Sequence, residues 1–214
     1  GPLGGTKITG SGSFSVVTKG ALTNGVASTQ ANGYFGAYLK FSGFDGILIK
    51  GTAPKWKYLY IHDGAAELRD AEHLLDRDTW DTEERIKNEL GYKEKDMSVC
   101  SIGPAGENRV RFAGLFTDKG HSASHNGVGA VFGSKKLKAL AVSKSQKRVE
   151  VADGEKLSKV ASDLRDLFKK AAGGMVYNYG TSNAIIGAGK GGVLPVKNYT
   201  TNLFPEVEKF YTRD

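Results

Sequence analysis

Apolar positions change their spacing several times along the 214 residues, and each spacing predicts a different element. Residues 1–13 are rich in glycine and read as loop, ahead of Phe14, Val16 and Val17, a short strand candidate. Leu22 to Asn32 is small and polar. Gly33-Tyr34-Phe35-Gly36 then sets two rings between glycines, which core packing explains. Tyr38 to Lys50 reads as two β-rich runs with Gly43 and Gly46 as a bulge or turn, the second run, Ile47-Leu48-Ile49, being expected in the core. Strict alternation over Lys55–His62 puts Trp56, Tyr58 and Tyr60 on one face and Lys57, Leu59 and Ile61 on the other, and Asp63-Gly64 turns the chain into Ala65–Arg69.

A helix is predicted from an Asp78 or Thr79 cap to Leu90, with Trp80, Ile86 and Leu90 toward the core and Gly91 as its stop. Met97–Ile102 is a strand, residues 103–108 (GPAGEN) a rigid turn, and Arg109–Phe116 a second strand. Gly120–Ser143 reads as a polar loop, a helix of about three turns over Val128–Lys138, and a covered strand built on Leu137, Ala139, Leu140, Ala141 and Val142. After Ser143 the composition turns polar and charged. A helix follows, capped by Asp153, with Leu157, Val160, Ala161, Leu164, Leu167, Phe168 and Ala171 at a 3.6-residue period and Gly173-Gly174 ending it. Its stripe calls for a partner surface. From Met175 onward the chain reads as loop-rich. The mixture of strands and helices reads as α+β, with a domain boundary near residue 147.

Composition changes this picture in one respect. The 29 glycines are about twice the usual share and indicate many turns and close backbone approaches. A net charge of +7 and a pI near 9.3 permit an anionic ligand, but the lysines are scattered and lack the aromatic interleaving of a nucleic-acid surface, so no nucleic-acid partner is expected. A single cysteine, Cys100, excludes an internal disulfide framework and a CxxC pair, and fits a reducing, cytoplasmic compartment. No apolar run approaches the ~18 residues of a membrane span, and no membrane partner is expected.

The candidate chemistry lies at residues 120–127, GHSASHNG. Small residues there let backbone N–H groups approach a ligand, and the positive end of the helix that follows suits an anion. The same composition suits a purely structural turn. His121 and His125 stand at i and i+4, but no third metal ligand lies close and there is no HExxH pattern, so they read as polar donors to an anion. Glu107 and Asn108, with no nucleophile beside a base near them, read as hydrogen-bonding neighbouring backbone.

Eight ordered blocks then fall together: GPLGGT with SFSVVTKGALTNG, GYFGAYLKFSGFDGILIKG, YLYI, AELRDAEHL, SIGPAGENRVRFA, GVGAVFGSKKLKALAV, YGTSNAI and LPVKNY. In this order they resemble the N-terminal part of the tungsten-containing aldehyde ferredoxin oxidoreductase family. The resemblance implies a fragment of a longer chain, lacking its opening segment, whose β-rich domain is a platform for a tungsten (or molybdenum) ion held by two pterin cofactors. The resemblance also implies an α+β fold in which that β-sheet-rich domain spans residues 1–147 and residues 148–214 start the helical domain that follows it in that family. The reaction implied is oxidation of a small aldehyde to a carboxylic acid with oxygen from water, electrons leaving through a 4Fe-4S cluster to ferredoxin or a similar acceptor. The cluster ligands would lie outside this chain and Cys100 would be a core thiol, so this piece alone would be inactive and open to self-association. Relatives on the scaffold reduce aromatic acyl thioesters.

Carried over residue by residue, the resemblance puts the loop under the pterin phosphates at His121, Ser122, Ser124, His125 and Asn126, and an earlier contact stretch at Gln30, Ala31, Asn32 and Gly33. Three departures stand out. Ser13 replaces an arginine after the first glycine-rich loop, and His121 and His125 align with two arginines of the pterin loop across a one-residue deletion. Each exchange removes a permanently charged fork in favour of a weaker donor. A family relative that has lost the cofactor is therefore a further reading.

Overall fold

The computed structural model describes residues 1–210, and the chain divides into two compact units, Gly1–Ala152 and Asp153 onward. The architecture is mixed α+β. In the first unit a six-stranded sheet runs in the order β4-β3-β8-β5-β6-β7. Its strands are β3 (Lys57–His62), β4 (Ala65–Asp70), β5 (Met97–Ser101), β6 (Leu115–Thr117), β7 (His121–Ala123) and β8 (Leu137–Ser143). β3 and β8 are parallel and the other pairs antiparallel. A separate ribbon pairs β1 (Phe14–Lys19) with β2 (Val26–Ala31), from Phe14 opposite Ala31 to Lys19 opposite Val26.

Every residue of β8 is buried because both faces of the sheet are covered, which is why its apolar residues run on without alternation. Leu140 and Val142 join one core with Ile61, Cys100, Val128 and Phe132, together with Phe35, Tyr38 and Leu39 of helix α1 (Phe35–Phe41). Ala139 and Ala141 join the other with Tyr58, Met97 and Val99, and with Ile86 of helix α2 (Thr79–Glu89). The carboxylate of Asp78 caps α2, accepting from the amides of Trp80 and Asp81 at 2.9 and 2.8 Å, and Gly91 follows its end with φ 74°. The Asp63-Gly64 turn joins β3 to β4 as expected.

Several expectations are overturned. The segment read as the first of two β-rich runs is helix α1, because Phe35, Tyr38 and Leu39 recur at helical spacing and bury together. Gly36 is required there, since a Cβ would lie 2.6 Å from the carbonyl oxygens of Gly12 and Ser13. The second run is not a strand: Ile47 and Ile49 pack against the core while Leu48 stays exposed. Trp80 faces solvent rather than the core. Residues 103–108 contain one helical turn, α3 (Pro104–Glu107), and the following strand shrinks to β6, with Phe112 exposed. Helix α4 is Val128–Ser134, two turns rather than three, and Lys138 belongs to β8. β2 is a strand that small polar residues concealed.

The second unit opens on α5 (Gly154–Lys170), where the Asp153 carboxylate accepts the Lys156 amide at 2.8 Å. Ala161 is buried, while Val160, Leu164, Leu167 and Phe168 remain exposed. Beyond it the expected loop contains two short helices, α6 (Met175–Tyr179) and α7 (Ala184–Lys190), with Phe168 edge-on to Tyr177. Among the described residues no helix is long and apolar enough to cross a membrane.

Candidate functional site

The nine residues singled out by sequence come from three separate stretches, and the fold gathers them along one exposed rim. Burial alternates along β2, so Ser28 and Gln30 face out with Asn32 just beyond, while Ala27, Thr29 and Ala31 face in. The ribbon lies beside β7 and the turn that follows it. Thr29 Oγ1 accepts the His125 amide at 3.3 Å, and Asn126 Nδ2 donates to the Ser28 carbonyl at 3.1 Å. At the other end Ser13 Oγ donates to Asn32 Oδ1 at 2.6 Å, so Asn32 offers its carboxamide nitrogen as its further hydrogen-bonding capacity. Gly33 has φ 101°, and a Cβ there would meet Asp118 and lie 3.2 Å from His121 Cδ2. Ser122, on β7, and Ser124, just after it, are exposed like both histidines.

Contrary to expectation, the start of α4 is closed to an anion. Gly127 and Val128, at the start of α4, are buried, and the Gly129 amide donates to the Ala113 carbonyl at 2.8 Å. A Cβ on Gly127, whose φ is 70°, would strike the Arg111 carbonyl oxygen. The chain's own carbonyls occupy the positive end of the helix. What the rim offers an anion is side-chain amide, hydroxyl and imidazole donors.

Sequence reasoning missed Asp118, which accepts from Tyr34 N and from Ser98 Oγ, each at 2.7 Å. The Asp118-Lys119-Gly120 turn was a visible signal, but its partners were not. Behind the turn, Glu83 accepts the Lys119 amide at 3.1 Å and pairs with Lys87 at 2.5 Å. Burial pushes the Glu83 carboxyl above its usual range although Lys87 opposes this. A second buried pair joins Lys138 to Glu107, with Lys138 Nζ also donating to the Arg77 carbonyl at 2.9 Å and Glu107 accepting the Asp76 amide at 3.0 Å. Asn108 Nδ2 donates to the Pro104 carbonyl, so both residues serve architecture. Cys100 is fully buried, and burial raises its thiol.

A cavity of about 430 Å³ lies elsewhere, lined by apolar side chains including Phe14, Val16, Phe35, Ile47 and Phe132. Ser13 alone of the nine reaches it. Among the described residues no three His, Cys, Asp or Glu side chains gather as a metal-binding group.

The fold has a counterpart in a solved enzyme complex, and the sequence has relatives among known enzymes. The family described as aldehyde ferredoxin oxidoreductase, N-terminal domain, matches residues 1–144, and the chain belongs to it. The tungsten-containing aldehyde ferredoxin oxidoreductase of Pyrococcus abyssi is 43% identical over 95% of this chain and 33% of its own length. The Pyrococcus furiosus protein of that name is 42% identical over 96% and 34%. An aliphatic sulfonate oxidoreductase, WOR-like subunit, of Pyrococcus furiosus is 37% identical over 73% of the chain. In structure the chain is similar to the active-site complex BamBC of benzoyl coenzyme A reductase with 1,5-dienoyl-CoA, at TM-score 0.72 and 38% identity, over 77% of this chain and 25% of that one. The chain thus spans about a third of the length of the curated relatives it matches.

Proposed function

We propose that residues 1–147 are the cofactor platform of an aldehyde-oxidising oxidoreductase and residues 148–214 the start of its helical domain, the last four lying outside the described residues. The observation that carries this reading is the convergence of residues 13, 30–33 and 121–126 on one rim, within a chain 43% identical to a tungsten-containing relative. The donors fit a pterin phosphate: Gln30, Asn32, Ser122, Ser124 and Asn126 bring amides and hydroxyls, His121 and His125 bring imidazoles, and Ser13 orients Asn32 by donating to its Oδ1. Gly33 leaves room for Asp118 and His121 to close against the turn. The Asp118 carboxylate at its edge is engaged by the chain's own donors.

When bound, a tungsten (or molybdenum) bis-pterin group supplies oxygen transfer and accepts the electron pair. The overall conversion it would support is that of an aldehyde and water to a carboxylic acid, two protons and two electrons, and a 4Fe-4S cluster ligated outside this chain would carry the electrons to ferredoxin or a similar acceptor. The part played by these residues is to anchor and orient the cofactor. Ser13, His121 and His125 in place of arginines make that anchoring weaker.

The similarity to the benzoyl coenzyme A reductase complex favours a second reading, reduction of an aromatic acyl thioester on the same scaffold. The test is metal and pterin analysis of the complete polypeptide, expressed with tungstate and molybdate and purified without air, followed by dye-linked assays. Tungsten with released pterin and aldehyde-dependent dye reduction supports the first reading. Metal with thioester-dependent oxidation of reduced dye supports the second. Absence of both metal and pterin means a scaffold that has given up its cofactor.

A further inference from the structure

The rim is assembled from segments far apart in sequence, and besides the Thr29–His125 and Asn126–Ser28 bonds the Asp118 side chain links its two halves at the other end. Asp118 Oδ2 takes the Tyr34 amide, just after Asn32 and Gly33, while Oδ1 takes the Ser98 hydroxyl at the start of the central strand β5. Ser98 Oγ is also 3.3 Å from Thr117 Oγ1. Thr117 pairs with His121 across the β6–β7 hairpin, so the turn between them sets where His121 stands.

That turn holds unfavourable backbone. Asp118 and Lys119 have φ of 48° and 53°, in the left-handed region that ordinary side chains avoid. Such conformations persist where the surroundings over-determine them, and they concentrate at functional positions. Here the surroundings are the buried Glu83–Lys87 pair and the exposed carboxylate of Glu94. Glu83 accepts the Lys119 amide, Lys87 pairs with Glu83 and donates to the Glu94 carbonyl at 3.0 Å, and Glu94 Oε2 lies 3.4 Å from both Lys87 Nζ and Lys119 Nζ.

We infer that Asp118 is a positioning residue that clamps the Asn32–Gly33 turn against His121 and so sets the spacing of the rim's anion donors. The inference rests on the reading of the rim as the cofactor site. The clamp acts by geometry: a carboxylate beside an anion repels it, so only its hydrogen bonds to Tyr34 and Ser98 can favour binding. An asparagine keeps an acceptor for Tyr34 and a donor for Ser98 Oγ and removes the repulsion. An alanine leaves both partners without it.

The test compares Asp118→Ala and Asp118→Asn with the parent in the complete polypeptide, expressed with tungstate. Tungsten and pterin per chain, thermal midpoint and amide exchange over residues 32–36 and 119–125 after cofactor removal are measured. In Asp118→Ala, exchange rises about tenfold in both segments together and cofactor content falls at least about fivefold, with the midpoint nearly unchanged, as expected of a local opening. Asp118→Asn returns the content to within about twofold of the parent, a rescue that follows the restored hydrogen bonds. Cofactor retained in Asp118→Ala, lost equally in both variants, or lost only in step with folded protein overturns the inference. Where the parent itself carries no tungsten or pterin, the proposed function fails separately and exchange decides the clamp. A rise in both segments upholds it, and a change confined to one sinks it.

Discussion

Lys138 is fully buried in the sheet and spends its ammonium protons on Glu107 and the Arg77 carbonyl, whereas His121 and His125 stand in solvent on the rim. Both regions are polar and both are assembled from distant stretches. The difference is in what is left over. Inside, no buried side-chain nitrogen or oxygen among the described residues lacks a hydrogen-bond partner, so the charges there specify the scaffold and have nothing to offer a ligand. On the rim, hydroxyls, amides and imidazoles keep capacity for something outside the chain. A basic side chain is therefore weak guidance to function until its partners are known.

Removing one partner inside should have the largest effect. Glu107→Ala strands the Lys138 ammonium and should cost about 3–5 kcal/mol in urea unfolding at neutral pH. Burial already holds Lys138 below its ordinary 10.5, and loss of Glu107 lowers it further. A depressed folded value means stability is lost as pH falls through it, so the deficit of the variant should shrink as pH rises toward 10.5. A deficit that grows with pH would show the pair to be misassigned.

Gly127→Ala comes next, at about 2–3 kcal/mol, because its Cβ meets the Arg111 carbonyl in a left-handed backbone. Asp78→Ala, which deletes the cap of α2, should cost about 1 kcal/mol in the same assay. At the rim the expected stability change is smallest. His125→Ala should move unfolding by less than about 0.5 kcal/mol while lowering tungsten and pterin per chain. A loss of stability as large as that of Asp78→Ala would place His125 with the scaffold and erase the contrast.

Much of the scaffold was legible. The apolar run of β8, the alternation of β3, the Asp78 and Asp153 caps and the ordered blocks of the family are all local patterns. β2 was hidden because Ser28, Thr29 and Gln30 carry little apolar signal, and its alternation exists only as burial against the rest of the fold. α1 was misread because aromatic residues suit a strand as well as a helix, and Gly36 reveals its purpose only where it meets Gly12 and Ser13. Residues 120–127 stood out by their small and polar composition, Ser13, Gln30, Asn32 and Gly33 were named from the resemblance, and the proximity of the two sets became visible only in three dimensions. Asp118 went unnoticed since Tyr34 lies 84 residues before it.

The sequence by itself determined the periods, the caps, the turn chemistry and the family, because each depends on neighbours within a few turns of chain or on the order of blocks. Tertiary structure alone decided which apolar stripes are covered, as for β8 but not for Leu164 and Leu167 of α5. It also decided that Lys138 answers Glu107 and that Asp118 ties Tyr34 to the β6–β7 turn. The physical reason is that a buried charge or an open backbone amide is satisfied by whichever group chain closure brings within hydrogen-bonding distance, and no local pattern encodes that partner.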